Sequence, residues 1–133
     1  MAVYKDSEQL YTILKSLFSF IKDDDPDSVK SVSSAHLIIR LHFKQPEAEV
    51  WINGRKNPVT ADYGSSSLRP DLDVELSADA FHQIMLGSLP LGKALASGQM
   101  RVKGPVYKSF VLQNIFHRGQ AIYPQLAEKS DIA

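Results

Sequence analysis

The sequence predicts an α+β fold, one five-stranded sheet with a crossover before the fourth strand and helices gathered against a single face. Three observations carry this. A leading segment repeats apolar residues at helical spacing, and five short segments alternate apolar with polar residues. Helical segments bounded by Gly and Pro then flank the fifth of those strands. At 133 residues the chain has the length of one domain, so 1–133 is expected to fold as a single unit.

The leading helix is written in Leu10, Ile13, Leu14, Leu17, Phe18 and Ile21, a stripe that lies on a core. Asp6 is its predicted N-cap, with Gln9 three residues on completing a capping-box pattern. Asp23-Asp24-Asp25-Pro26-Asp27 ends it, because carboxylates are unfavourable at a helix C-terminus and Pro26 disfavours helical geometry before it. Over 36–43, Leu37, Ile39, Leu41 and Phe43 alternate with His36, Ile38, Arg40 and His42, giving a half-buried strand. Over 49–53, Val50 and Ile52 share a face and Trp51 points the other way. Asn53-Gly54 is a hairpin turn signal that leads into a weaker strand over 58–63.

Gly64-Ser65-Ser66-Ser67 and Pro70 read as a flexible crossover. The fourth strand, 71–76, sets Leu72, Val74 and Leu76 against Asp71, Asp73 and Glu75. Ser77 caps a helix that runs to about Leu86, with Asp79 in its first turn, and Gly87 stops it. Pro90 starts a short helix that ends at Gly98. The fifth strand, 99–103, turns Met100 and Val102 inward. Gly104-Pro105 opens a helix to about His117, and a last segment over 120–128 is partly helical but interrupted by Pro124.

Composition excludes several function classes. Fifteen basic residues balance fifteen acidic ones, whereas nucleic-acid binders carry a basic face. With no cysteine, thiol catalysis, thiolate metal sites and redox switching fall together. No apolar run reaches the roughly 20 residues of a membrane span, and MAVYKDSEQL lacks the form of a signal peptide. A cytoplasmic address is expected.

From Leu95-Ala96-Ser97-Gly98-Gln99 through Met100-Arg101-Val102-Lys103-Gly104 the sequence resembles the sterol carrier protein 2 family of lipid-binding domains. The likeness extends back to Asp73-Val74-Glu75-Leu76-Ser77 and its following helix and Gly87, and forward over 105–116. The order of elements is also similar. The resemblance implies a mixed sheet and an apolar tunnel between sheet and helices that holds a fatty acid, fatty acyl-CoA, phospholipid or sterol without catalysis. The chain ends in Ser130-Asp131-Ile132-Ala133, not in the peroxisomal tripeptide of animal members.

A pattern of apolar residues does not separate a filled core from a hollow one; the resemblance carries the tunnel. It implies a lining of Leu37, Ile39, Val50, Val74, Met100 and Val102 from the strands. The helical regions would add Phe81, Ile84, Met85, Leu89, Leu95, Phe110 and Phe116. Over 105–117, Val106, Tyr107, Phe110, Val111 and Ile115 cover one side, with Leu112 and Phe116 near the opposite one, as in a helix buried on two sides. Met85 and Met100 suit an adaptable wall. Gln113 or Asn114 is positioned to hydrogen-bond a ligand head group, with solvent as the competing partner of both amides. The tail over 119–133 is free to move, or its segment over 120–128 to cover a tunnel mouth.

No other constellation competes. His36 and His42 share a strand face about 20 Å apart, and His82 and His117 lie on separate helices, so all four read as surface or edge residues and no metal is expected. The aspartate run lacks the Gly and Glu of a calcium loop. No G-x-S-x-G elbow or phosphate-cradling loop occurs, and no cofactor is implied. Trp51 reads as packing under the crossover. The expected partner is therefore a lipid-like small molecule, with transient contact to a membrane surface left open. Two alternatives stand beside this, an interaction module with a filled core and an acyl-CoA thioesterase of the hot-dog type. The thioesterase fits less well, because helices interrupt the last two strands.

Overall fold

The computed structural model describes residues 3–24, 26–56, 58–105 and 110–130. Helix α1 spans Ser7–Asp24 and buries Leu10, Ile13, Leu14, Leu17 and Ile21, the stripe that the sequence predicts. The Asp6 carboxylate accepts from the Gln9 N–H at 2.9 Å. The Gln9 side chain accepts from the Lys5 N–H at 2.7 Å, one residue before the position of a strict capping box. A 3-10 turn, Pro26–Val29, and helix α2, Lys30–Ser34, follow. The sequence does not predict them, because 26–34 holds no apolar repeat; Val32, with no exposed surface, anchors them.

Strands β1 (Ile38–Lys44), β2 (Ala48–Asn53), β3 (Thr60–Tyr63), β4 (Leu72–Ser77) and β5 (Met100–Lys103) form one sheet in the order β3-β2-β1-β4-β5. Strand β4 runs parallel to β1 and the remaining pairs are antiparallel. Residues paired in register share a face. Tyr63, Val50, Leu41, Val74 and Val102 therefore form one row across all five strands, and Ala48, Phe43, Leu76 and Met100 a second. This is the face that the core covers.

On the opposite face Arg40 bonds Glu49 at 2.8 Å and Asp73 at 3.1 Å, with its guanidinium 5.8 Å from the centre of the Trp51 ring. Lys44 lies 3.2 Å from Glu75 and holds that carboxyl below its ordinary range. The alternation sets Ile38 on the uncovered side of its strand, and that needs correction: Ile38 is buried there, as is Trp51, which the sequence already reads as packed. Arg40 lies along the indole, which an aliphatic stem and a planar cation cover well.

Helix α3 (Ala78–Met85) begins at Ser77, whose hydroxyl accepts from the Ala80 N–H. It ends before Gly87, at φ 80°, and α4 spans Leu91–Ala96. The last helix differs from expectation. Instead of two segments there is one, α5, Phe110–Lys129, with Pro124 inside it. Proline deprives the Gln120 carbonyl of a helical partner, but α5 buries Val111, Leu112, Ile115, Phe116, Gly119, Tyr123 and Ala127 along one side. Tertiary packing of that side outweighs the local defect. The same list corrects the two-sided reading of 105–117, since Leu112 and Phe116 belong to one broad apolar arc with Val111 and Ile115. Val106 and Tyr107 lie outside the described residues.

The Asn53-Gly54 signal marks the β2–β3 hairpin, yet the turn is not a two-residue one, since Asn53 pairs with Thr60. Gly54 is required by close approach. A Cβ there would collide with the Val32 carbonyl oxygen and lie 2.7 Å from that of Leu37, to which Gly54 donates its N–H. Both obstacles are backbone and cannot swing away. Gly54→Ala is expected to destabilise the protein by about 1–3 kcal/mol, the usual cost of overpacking. A urea midpoint equal to the parent's would refute this reading.

Candidate functional site

A cavity of about 40 Å³ lies between the covered face of the sheet and three helices. From α1 it receives Leu14, Leu17, Phe18 and Ile21, and from the sheet Leu41, Val50 and Ile52. Helix α3 contributes Phe81 and Met85, and α5 contributes Ile115, Phe116 and Gly119. None of these side chains carries a hydrogen-bonding group, and apolar cavities of this kind stay dry. The helices leave space because of Gly119. A Cβ there would sit 2.9 Å from Met85 Sδ and 3.9 Å from Ile21 Cδ1, so the missing side chain lets α5 approach α1 and α3 over the methionine.

The volume is below the ~300–1,000 Å³ of pockets for drug-sized ligands. A chain-like ligand enters only if the wall repacks. The wall contains parts able to do so: the unbranched thioether of Met85 and Phe18, which is only partly buried on α1. Phe81 is the fixed part. Its ring meets Phe43 edge-on at 5.1 Å, Phe116 at 6.3 Å and Tyr123 at 5.9 Å.

Behind Phe81 lies a buried polar cluster. The Tyr4 and Tyr123 hydroxyls are hydrogen-bonded to one another, and Tyr123 reaches His82 Nδ1 at 2.6 Å. If the imidazole accepts at Nδ1, each phenol donates once, Tyr4 to Tyr123 and Tyr123 to His82. Burial pushes the Tyr123 phenol up to about 12. Burial, then the neighbouring Tyr123, raises Tyr4 far above its ordinary range. The cluster ties the segment before α1 to α3 and α5, and the Val3 N–H adds a bond of 2.9 Å to Asp79. His82 is 2% exposed, which corrects its reading as a surface or edge histidine. The apolar residues around it, Phe81, Ile84 and Met85, already placed this helix in the core.

Of the lining residues expected from the sequence, Val50, Phe81, Met85 and Phe116 are brought together at the cavity. Leu37, Ile39, Val74, Ile84, Leu89 and Met100 belong to the same core but do not border the cavity, and Val102 is partly buried against that core. Leu95 is exposed, as are Gln113 and Asn114, so neither amide reaches the interior. The Phe110 side chain lies outside the described residues. Sequence reasoning omitted the whole contribution of α1. The signal was present in its stripe, which the sequence assigned to the core without asking what it faced. Leu41 and Ile52 share the strand parity of residues that were named.

Among the described residues no group of three His, Cys, Asp or Glu side chains converges on a metal site, and no helix is long and apolar enough to cross a membrane.

Comparison with known proteins agrees with this architecture. A curated relative, a fatty acid-binding protein of Yarrowia lipolytica, is 29% identical over 114 residues, covering 78% of this chain and 88% of its own. The apo form of sterol carrier protein 2 from Yarrowia lipolytica superposes with a TM-score of 0.65 at 21% identity, over 90% of this chain and 98% of its own. A palmitated SCP2L2 from Aedes aegypti does so at 0.60 and 18%, over 80% and 92%. Those two likenesses are of fold. The SCP-2 sterol transfer family matches residues 15–117, from the middle of α1 into the first half of α5, and the chain belongs to that family.

Proposed function

We propose that the protein is a non-catalytic carrier that takes the hydrocarbon part of a lipid into the cavity between the sheet and α1, α3 and α5. In this reading 1–133 acts as one sterol-carrier-protein-2-like domain. The observation that carries it is the cavity wall, built by α1, β1, β2, α3 and α5 without a single polar side chain. Such a wall favours a ligand through apolar burial, at about 25 cal/mol per Å² removed from water, and offers no acid, base or nucleophile. Among the ligands that the family resemblance implies (fatty acid, acyl-CoA, phospholipid, sterol), a single acyl chain fits best. A flexible chain fits a narrow cavity by local repacking, and the name of the Yarrowia relative and the palmitate on the Aedes protein favour the same class.

The thioesterase reading lacks support in the topology, since α3 and α4 separate β4 from β5 and α5 follows. Native mass spectrometry of delipidated protein with palmitic acid, palmitoyl-CoA or cholesterol tests the proposal. One retained palmitate per chain, and palmitoyl-CoA left intact on incubation, are the expected results. A bare mass with every ligand would overturn the carrier reading in favour of an interaction module with a filled core.

A further inference from the structure

The cavity shares one wall residue with a groove on the surface. Between α4 and α5 lies a depression of about 300 Å³ with Leu91 and Leu95 on one side and Gln113, His117 and Gln120 on the other. Phe116 lines it and also lines the interior cavity, while remaining 3% exposed. Phe116 thus borders both spaces.

We infer that the ligand's polar head sits in this α4–α5 groove, with its chain passing Phe116 into the cavity, and that the Phe116 ring moves aside as the gate. The inference rests on the carrier reading. Three observations support it. The cavity, at about 40 Å³, does not hold a whole lipid. Its wall has no donor, and burying an unpaired carboxylate is prohibitively unfavourable, so the head must lie elsewhere. The buried polar groups beside the cavity, Tyr4, Tyr123 and His82, already bond one another.

The groove supplies what the cavity lacks. Leu95 is 42% exposed and offers apolar surface to the first carbons of a chain. The Gln113 amide and the His117 imidazole carry N–H donors on the solvent side, which suit a single-chain lipid with a small, hydrogen-bond-accepting head such as a carboxylate. Gln120 is committed otherwise: its amide donates to the Ile84 carbonyl at 2.9 Å and ties the groove wall to α3.

Tryptophan quenching by brominated hexadecanoic acids tests this. One acid carries bromine beside the carboxyl and the other at the far end of the chain. Tryptophan is placed in the groove by Gln113→Trp and at the inner cavity by Phe18→Trp. Native Trp51, on the outer face of the sheet, gives the same background in both variants. The groove tryptophan is expected to lose more emission with the carboxyl-end bromine, and the inner one with the tail-end bromine. Binding lost in Gln113→Trp but retained in Asn114→Trp would support the groove equally, by occlusion. Reversed or equal quenching by bound acids, or equal loss of binding at 113 and 114, overturns the inference. Failure of the unsubstituted chain to bind either acid overturns the carrier reading itself, which separates the two failures.

Discussion

Replacing Gly119 with leucine is expected to abolish lipid uptake while leaving the fold intact. Gly119 borders the cavity, and the first atom added there meets Met85 Sδ at 2.9 Å and Cε at 3.6 Å. Those atoms are the far end of a flexible side chain, so the methionine can move, and the direction open to it is the cavity. The rest of the leucine side chain then occupies what space remains. Two effects on stability oppose each other. Leucine in place of a helix-interior glycine gains about 1 kcal/mol or slightly less, and overpacking costs about 1–3 kcal/mol.

The net change is thus small beside a binding loss that should exceed about tenfold, or ~1.4 kcal/mol. Gly119→Ala should fall between parent and leucine variant. Displacement of a fluorescent fatty acid by palmitate reads the affinity, and a urea titration shows that each variant is folded. A folded Gly119→Leu protein with the parent's affinity would place the acyl chain somewhere other than this cavity.

Gly119 also illustrates what the sequence could and could not show. Elements defined by local chemistry were legible. Ser77 before Ala78, Gly87 after α3 and the alternation of Leu72, Val74 and Leu76 each follow from rules that involve only near neighbours. The residues that shape the site act at long range. Gly119 looks like a helix defect until Met85 is known to lie beneath it, and Gly54 resembles a turn glycine until the Val32 carbonyl is seen to face it. Phe81 enters the expected lining through the family resemblance, whereas its place between Phe43, Phe116 and Tyr123 depends on two distant elements, β1 and α5.

The α1 wall was missed for a related reason. Periodicity identifies which residues of a helix face inward, but not whether the facing side chains meet or leave a gap. Pro124 carries less weight than its local rule implies: seven buried positions among the described residues of α5 are each visible as an apolar or small residue, and their common face is longer than either predicted segment. The Tyr4–Tyr123 pair was beyond reach, because 119 positions separate two tyrosines that carry no local signal of pairing.

That pair sets the second large effect, a loss of stability on the alkaline side. In an unfolded chain both phenols ionise near pH 10. In the fold, burial holds Tyr123 up to about 12 and Tyr4 higher still, so the native state keeps protons that the unfolded state sheds. Their contribution is therefore fully present below about pH 10, the unfolded pKa, and is lost as pH rises towards the folded values. The slope is about 1.4 kcal/mol per pH unit for each tyrosine. Tyr63, raised to about 12 by burial and then by Asp62, steepens the same limb.

Urea midpoints measured upward from about pH 9 should hold until the unfolded phenols begin to titrate near 10, then fall. Tyr123→Phe separates the cluster from Tyr63. At neutral pH it should cost about 1–3 kcal/mol, because the buried Tyr4 hydroxyl loses its acceptor. Above pH 10 its curve should fall less steeply than the parent's, so the two converge. A parent curve that stays flat through this range, or parallel curves for the two proteins, would show that the buried phenols do not resist ionisation. The consequence reaches the cavity, because Tyr123 packs on Phe81 and Phe81 lines it. The hydroxyl chain from Tyr4 to His82 thus fixes the one wall that must stay in place while Met85 and Phe18 move.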